Sequence, residues 1–313
     1  MQQRKFTHYL VIFFKGIAMG AADVVPGVSG GTIAFISGIY EELLASISAI
    51  NIANLKLLKN EGVKAAWKAV NGNFLLALLS GIFISIVSLA KLISWLLENK
   101  PILVWSFFFG LVLASILFVS KQITKWNASA IILFIIGAVA AYYITILHPA
   151  ISESSSLLFY FFAGALAICA MILPGISGSF ILVLLGAYKP ILNALDALQY
   201  KDIKLLAVVA IGAVVGILSF SKLLNWLFDH HKNSTLAVLT GFILGSLNKI
   251  WPWKETLTWR LDSHGVKIPF NEQSVSPFSY QGDPQLMMAI ILLIVGFLLI
   301  ILLEKLANIS NKV

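Results

Sequence analysis

A chain of 313 residues with 59% hydrophobic and only 12% charged side chains has too little polar surface for a soluble fold of its size. Its mean hydropathy is +0.92. Several apolar runs reach the roughly 20 residues a helix needs to cross a bilayer, and they do not alternate as barrel strands do. The net charge of +8 comes from 22 basic against 14 acidic residues, and the basic residues stand mostly between apolar runs. That placement fits loop orientation and attraction to anionic lipid, and argues against a nucleic-acid partner.

In chain order, Arg4 and Lys5 precede an apolar stretch that Lys15 interrupts. The stretch belongs to a repeat, so no cleavable signal is expected. Segment 8–50 is too long for one simple span and carries Pro26-Gly27-Val28-Ser29-Gly30 in its middle. Residues 51–70 mix Ile52, Leu55, Leu58, Val63 and Trp67 with four lysines, which reads as an interfacial amphipathic helix. Apolar runs follow at about 74–97, 101–120 and 128–147. A second long segment, 157–198, carries Pro174-Gly175-Ile176-Ser177-Gly178. Further runs cover about 205–228, 234–250 and 286–303. Between the last two, 251–285 holds Trp251, Trp253 and Trp259 and reads as an outside loop lying against the headgroups. Cys169 is the one cysteine, and no metal-ligand spacing occurs, so neither metal nor cofactor is expected.

The two long segments are copies. Residues 13–44 align with 161–192 without a gap, and 12 of 32 positions are identical. The match resumes downstream: Gly81, Lys91 and Trp95 meet Gly212, Lys222 and Trp226, and Gly110 meets Gly241. Residues 1–148 are therefore read as an N-terminal repeat and 149–313 as a C-terminal repeat. A Pro-Gly pair ends a helix and the following Ser-Gly starts another. Each motif segment is then a broken span or a re-entrant hairpin. Loop charge favours hairpins, because this puts Arg4 and Lys5 on the side of Lys56, Lys59, Lys64 and Lys68. A hairpin plus three spans is an odd number of crossings, so the second repeat is inverted. The expectation is an all-α polytopic membrane protein of two inverted repeats, each a re-entrant helical hairpin plus three transmembrane helices, with both termini cytoplasmic.

Non-helical backbone at membrane depth is tolerated only where it is buried in protein or lines a wet cavity. Two such turns in matching positions point to a central site. The helix after each turn begins with free N–H groups and positive dipole character. Gly27, Gly30, Gly31, Gly175 and Gly178 let a ligand approach the backbone, and Ser29, Thr32, Ser177 and Ser179 add hydroxyls. This chemistry suits an anion, phosphate above all. Isolated glycines such as Gly81 and Gly110 are read instead as sites of close helix packing. Lys15, Lys91 and Lys222 are candidates to balance the anion's charge, although snorkelling also explains the last two. Asp23 and Glu41 are candidate carriers of a coupled proton or cation.

Gly-x-Ser-Gly also occurs in intramembrane serine proteases, but the duplicated serines have no matching histidine to serve as base. A small-anion channel for chloride or inorganic phosphate remains the alternative. GAADVVPGVSGGTIAFISGIYEELL at 20–44, with ILPGISGSFILVLLGAYKPIL at 172–192, closely resembles the bacterial family once called domain of unknown function 368, whose members are regarded as polyprenyl-phosphate transporters. The second copy departs at Ser179, where the first has Gly31. The resemblance covers essentially the whole chain. It implies a flippase in the bacterial cytoplasmic membrane that returns undecaprenyl phosphate, the lipid carrier of cell-wall sugars, to the cytoplasmic leaflet.

Overall fold

A computed structural model describes residues 4–25, 28–147, 156–197, 200–261 and 267–310. The boundary expected between residues 148 and 149 lies outside the described residues. Among the described residues, four helices are long and apolar enough to cross a membrane. They come from α6 (Gly72–Asn99), α7 (Pro101–Ser120), α8 (Ala128–Ile146) and α12 (Tyr200–Ser246), the last of which continues into a 3-10 turn at Leu247–Ile250. Their outer faces leave Phe83, Ile84, Val87, Ile132, Ile135, Val139, Ile211 and Val214 exposed. Apolar belts of this extent need lipid rather than water. This is the coarse architecture expected from composition, a helical multi-pass membrane protein.

At 1.5 Å per residue, the 47 residues of α12 would be far longer than any bilayer core. The helix breaks at His231, where φ is −134° and ψ is 41°. Eight residues of straight helix rise about 12 Å. Yet the Thr235 hydroxyl donates to the Leu227 carbonyl at 3.2 Å and to that of His231 at 3.0 Å. The chain therefore turns back, and residues 200–230 and 232–246 form two arms.

Each motif segment consists of three helices. The first comprises α1 (Phe6–Val24), α2 (Gly30–Ile36) and α3 (Tyr40–Ser48); the second comprises α9 (Leu157–Ile172), α10 (Gly178–Leu184) and α11 (Tyr188–Ala197). In both, a glycine at φ +72°, Gly38 or Gly186, ends the short middle helix. The axes of α10 and α11 differ by 111°. Both short helices pack back on the long helix that precedes them.

The duplicated glycines occupy corresponding contacts. A methyl group at Gly16 or Gly81 would fall on the backbone of the facing helix, at Leu78 and Phe13 respectively. The same holds for Gly164 on Val209 and Gly212 on Phe161. Along α1 and α6 the contacts ascend together: Gly16 lies on Leu78 and Gly20 on Ile82. The later helices exchange partners between the halves. Gly110 of α7 packs on Leu293 of α13 (Leu286–Ser310), and Gly241 in the second arm of α12 packs on Phe134 of α8. Gly81→Leu or Gly212→Leu is expected to cost about 3 kcal/mol or more by overpacking. The check is thermal midpoint and monodisperse yield in detergent.

Three local expectations change. Residues 51–70 form two helices, α4 (Ile52–Glu61) and α5 (Val63–Ala69), broken at Gly62 with φ +84°. Ile52, Leu58, Val63 and Trp67 are exposed, as an interfacial face requires. Within 251–285, β1 (Lys254–Leu261) and β2 (Lys267–Ser274) pair antiparallel, so the fold is not entirely helical. The tryptophans there also divide. Trp253 is buried, packs with Ile102 and Ala289, and donates from Nε1 to the Pro284 carbonyl at 2.9 Å. Trp251 stacks edge-on with Phe109 and bonds Val275. Only Trp259 of the three is exposed.

Candidate functional site

The turn of the first motif joins α1 to α2. Val25 leaves the helix in extended conformation, and Ser29, also extended, is the N-cap of α2. The first-turn amides of α2 all have partners. Gly30 N–H donates to Asp23 Oδ1 at 2.7 Å, Gly31 N–H to Ser29 Oγ at 3.1 Å, and Thr32 N–H to the Ser29 carbonyl at 2.9 Å. Asp23 thus reaches back across the turn to close it. Ser29 and Thr32 are 1% exposed, so this end is sealed in the observed conformation. Gly27 lies outside the described residues.

The second turn is built differently. Gly175 takes φ +89°, and its N–H donates to Thr32 Oγ1 at 2.9 Å. Met171 stands where the first copy has Asp23, so no carboxylate reaches back. Among the described residues the amides of Gly178, Ser179 and Phe180 have no acceptor. The hydroxyls of Ser177 and Ser179 bond each other at 2.8 Å; Ser177 is buried and Ser179 exposed.

The two turns meet. The Ser29 hydroxyl lies 3.0 Å from the Met171 carbonyl oxygen and 3.2 Å from that of Leu173, and donates to them. The buried Tyr40 hydroxyl donates to the Ile172 carbonyl at 3.2 Å. These are the carbonyls that the end of α9 leaves without helical partners. Gly31 permits the approach, since a methyl there would fall on the Ile172 carbonyl and 3.0 Å from that of Met171. Residues 132 to 144 positions apart therefore form one polar knot, closed on the first half's side and with unpaired donors on the second's.

The charged candidates are more scattered. Lys15 donates to the Ser37 carbonyl at 2.6 Å and so caps the far end of α2, away from the turn and unpaired with Asp23. Lys91 and Lys222 are exposed and have no bonded partner among the described residues. Glu41 pairs with Lys232 at 2.6 Å on the surface, tying α3 to the bend in α12. Its neighbour Glu42 receives both guanidinium nitrogens of Arg4, at 2.6 and 2.9 Å, which brings the starts of α1 and α3 together. Lys249 was not among the charged candidates, yet its ammonium lies 4.7 Å over the ring of Phe180 in α10. Its one sequence signal is its place at the end of an apolar run, just before Trp251-Pro252-Trp253.

Apolar belts around a knot of two duplicated turns define a multi-pass helical membrane protein organised about one polar centre. The chain belongs to the undecaprenyl phosphate translocase-like family, whose family model matches residues 19–268. It is 49% identical over 308 residues to a polyprenyl-phosphate transporter of Vibrio cholerae, covering 97% of this chain and 99% of the relative. It is 34% identical over 266 residues to a polyprenyl-phosphate transporter of Staphylococcus aureus, covering 80% of this chain and 88% of that one. No solved structure matches the chain.

Proposed function

We propose that this protein is a flippase that moves undecaprenyl phosphate from the outer to the cytoplasmic leaflet of the bacterial cytoplasmic membrane, for reuse in cell-envelope synthesis. Beside the family, the observation that carries this reading is the junction of the two turns, Ser29 against Met171 and Leu173 and Thr32 against Gly175. A lipid phosphate needs a polar path for its head while the tail stays in hydrocarbon. The phosphate meets the unpaired amides of Gly178, Ser179 and Phe180 first. The hydroxyls of Ser29 and Thr32 become available when the bonds between the turns open, and the amides of Gly30 and Gly31 when Asp23 and Ser29 also release them. In this reading the observed conformation is a closed gate.

The motif segments are re-entrant hairpins and the repeats inverted. Two contacts support this: α6 ascends beside α1, and Arg4 meets Glu42, so the chain regains its starting side before the three spans begin. Catalysis has no support at the serines. Ser29 is engaged with backbone carbonyls and Ser177 with Ser179, and neither bonds a histidine.

The test is purified protein in liposomes with labelled undecaprenyl phosphate, set against chloride and inorganic phosphate. Ser29→Ala combined with Ser177→Ala is expected to stop lipid movement. Inorganic ion flux without lipid movement would instead make the protein an anion channel.

A further inference from the structure

A second polar cluster lies beside the second hairpin. Lys254, at the start of β1, sits 4.1 Å over the ring of Trp105 in α7 and donates to the Lys249 carbonyl at 2.7 Å. The ammonium groups of Lys249 and Lys254 both stand 3.9 Å from the same Glu272 carboxylate oxygen in β2. That distance is too long for a hydrogen bond. Lys249 therefore has no hydrogen-bond acceptor for its three N–H groups, and Lys254 has one, among the described residues. The Lys254 side chain is 9% exposed, that of Lys249 26% and that of Glu272 29%. Two cations share one carboxylate in a place that buries Lys254 and leaves Lys249 and Glu272 partly open.

As a structural ion pair this is a poor design, because buried charge is stable only when its hydrogen-bonding capacity is filled. A phosphate monoester supplies what is missing: up to two negative charges and three acceptor oxygens. The rings of Phe180 and Trp105 hold the ammonium groups in place by cation–π attraction without consuming a lone-pair acceptor. Ser179, next to Phe180, is exposed.

The geometry points to Lys249 and Lys254 as a dock for a phosphate monoester head group, from which the head passes to Ser179 and the second turn. Glu272 is the resident carboxylate that the phosphate displaces. The inference rests on the transport reading and adds a capture step to it, on the face that reading makes external. Burial pushes Lys254 down to about 8; of the charged groups facing it, Glu272 opposes the shift and Lys249 adds to it. An ammonium is needed for capture, so affinity falls as pH rises through about 8.

The test uses the full chain in nanodiscs. The probe is farnesyl phosphate, a short polyprenyl monophosphate, with farnesol and inorganic phosphate as the other arms. Lys249→Gln and Lys254→Gln should each weaken farnesyl phosphate binding by about tenfold, the loss of one charge-assisted contact, and Lys249→Arg should largely preserve it. Glu272→Gln should tighten binding, an outcome that a misfolded variant does not give. The alkaline loss of affinity should vanish in Lys254→Gln. Competition by inorganic phosphate shows that the dock reads the head alone; absence of competition, with farnesyl phosphate still bound, shows that the head is read with its tail, and both outcomes keep the dock. Unchanged affinity in both lysine variants, or weaker binding in Glu272→Gln, overturns the dock and leaves the transport reading standing. Equal binding of farnesol and farnesyl phosphate by the wild type overturns the transport reading itself.

Discussion

Gly31→Ala should abolish lipid movement in liposomes at matched protein incorporation. The added methyl has no room, because it would fall on the Ile172 carbonyl and near that of Met171. Both are backbone atoms at the end of α9, held there by Ser29 and Tyr40. Relief requires the turns to part, which breaks bonds worth about 1 kcal/mol each and leaves buried carbonyls without partners at about 1–3 kcal/mol apiece. Gly38→Ala is the control. Nothing stands within 4 Å of a methyl there, and the strain comes from φ +72° alone. It should cost about 1–2 kcal/mol and spare transport. Wild-type rates in Gly31→Ala would mean that close apposition of the turns is dispensable.

Asp23 separates two roles that a single substitution would confound. Inward movement of an anion opposes an inside-negative potential by roughly 2.3 kcal/mol per charge per 100 mV, which a coupled proton or cation would offset. Asp23 is also the acceptor for the Gly30 amide. Asp23→Asn keeps an oxygen for that amide and removes the charge, so it should leave the thermal midpoint nearly unchanged and erase the pH and ion dependence of flipping. Asp23→Ala orphans the amide and should cost about 1–3 kcal/mol of stability besides. Full pH and ion dependence in both Asp23→Asn and Glu41→Gln would remove coupling through these carboxylates and leave Asp23 as a helix cap. The ion pair of Glu41 with Lys232 makes it the weaker carrier of the two.

The duplicated turns were legible because a Pro-Gly pair ends a helix by local geometry alone. Close packing at Gly81 and Gly110 was legible for another reason: a residue without a side chain inside an apolar span lets a second backbone come close. What the residues could not declare was which acceptor a hydroxyl would find. Ser29 looked like a ligand group, and it is spent on carbonyls of the other half. Asp23 looked like a carrier, and it closes its own turn. Lys15 looked like a countercharge for the anion, whereas the fold-back of α2 brings the Ser37 carbonyl to it instead. Charge alone could not distinguish Lys91 and Lys222, left exposed, from Lys249 and Lys254, which the β-hairpin folds inward. That hairpin was missed although Thr256-Leu257-Thr258-Trp259 alternates, because Pro269 in the facing segment argues against a strand.

The exchange of partners between halves governs the order in which the molecule can be completed. α7 presents Gly110 to Leu293, and α8 presents its face to Gly241, so each waits for a helix made much later. During synthesis the early spans must stay in lipid with a seam of small residues still uncovered, and only the arrival of α13 closes the last of these seams. Folding of one half alone is thus denied by construction, and a nascent chain halted before residue 286 leaves α7 without its mate.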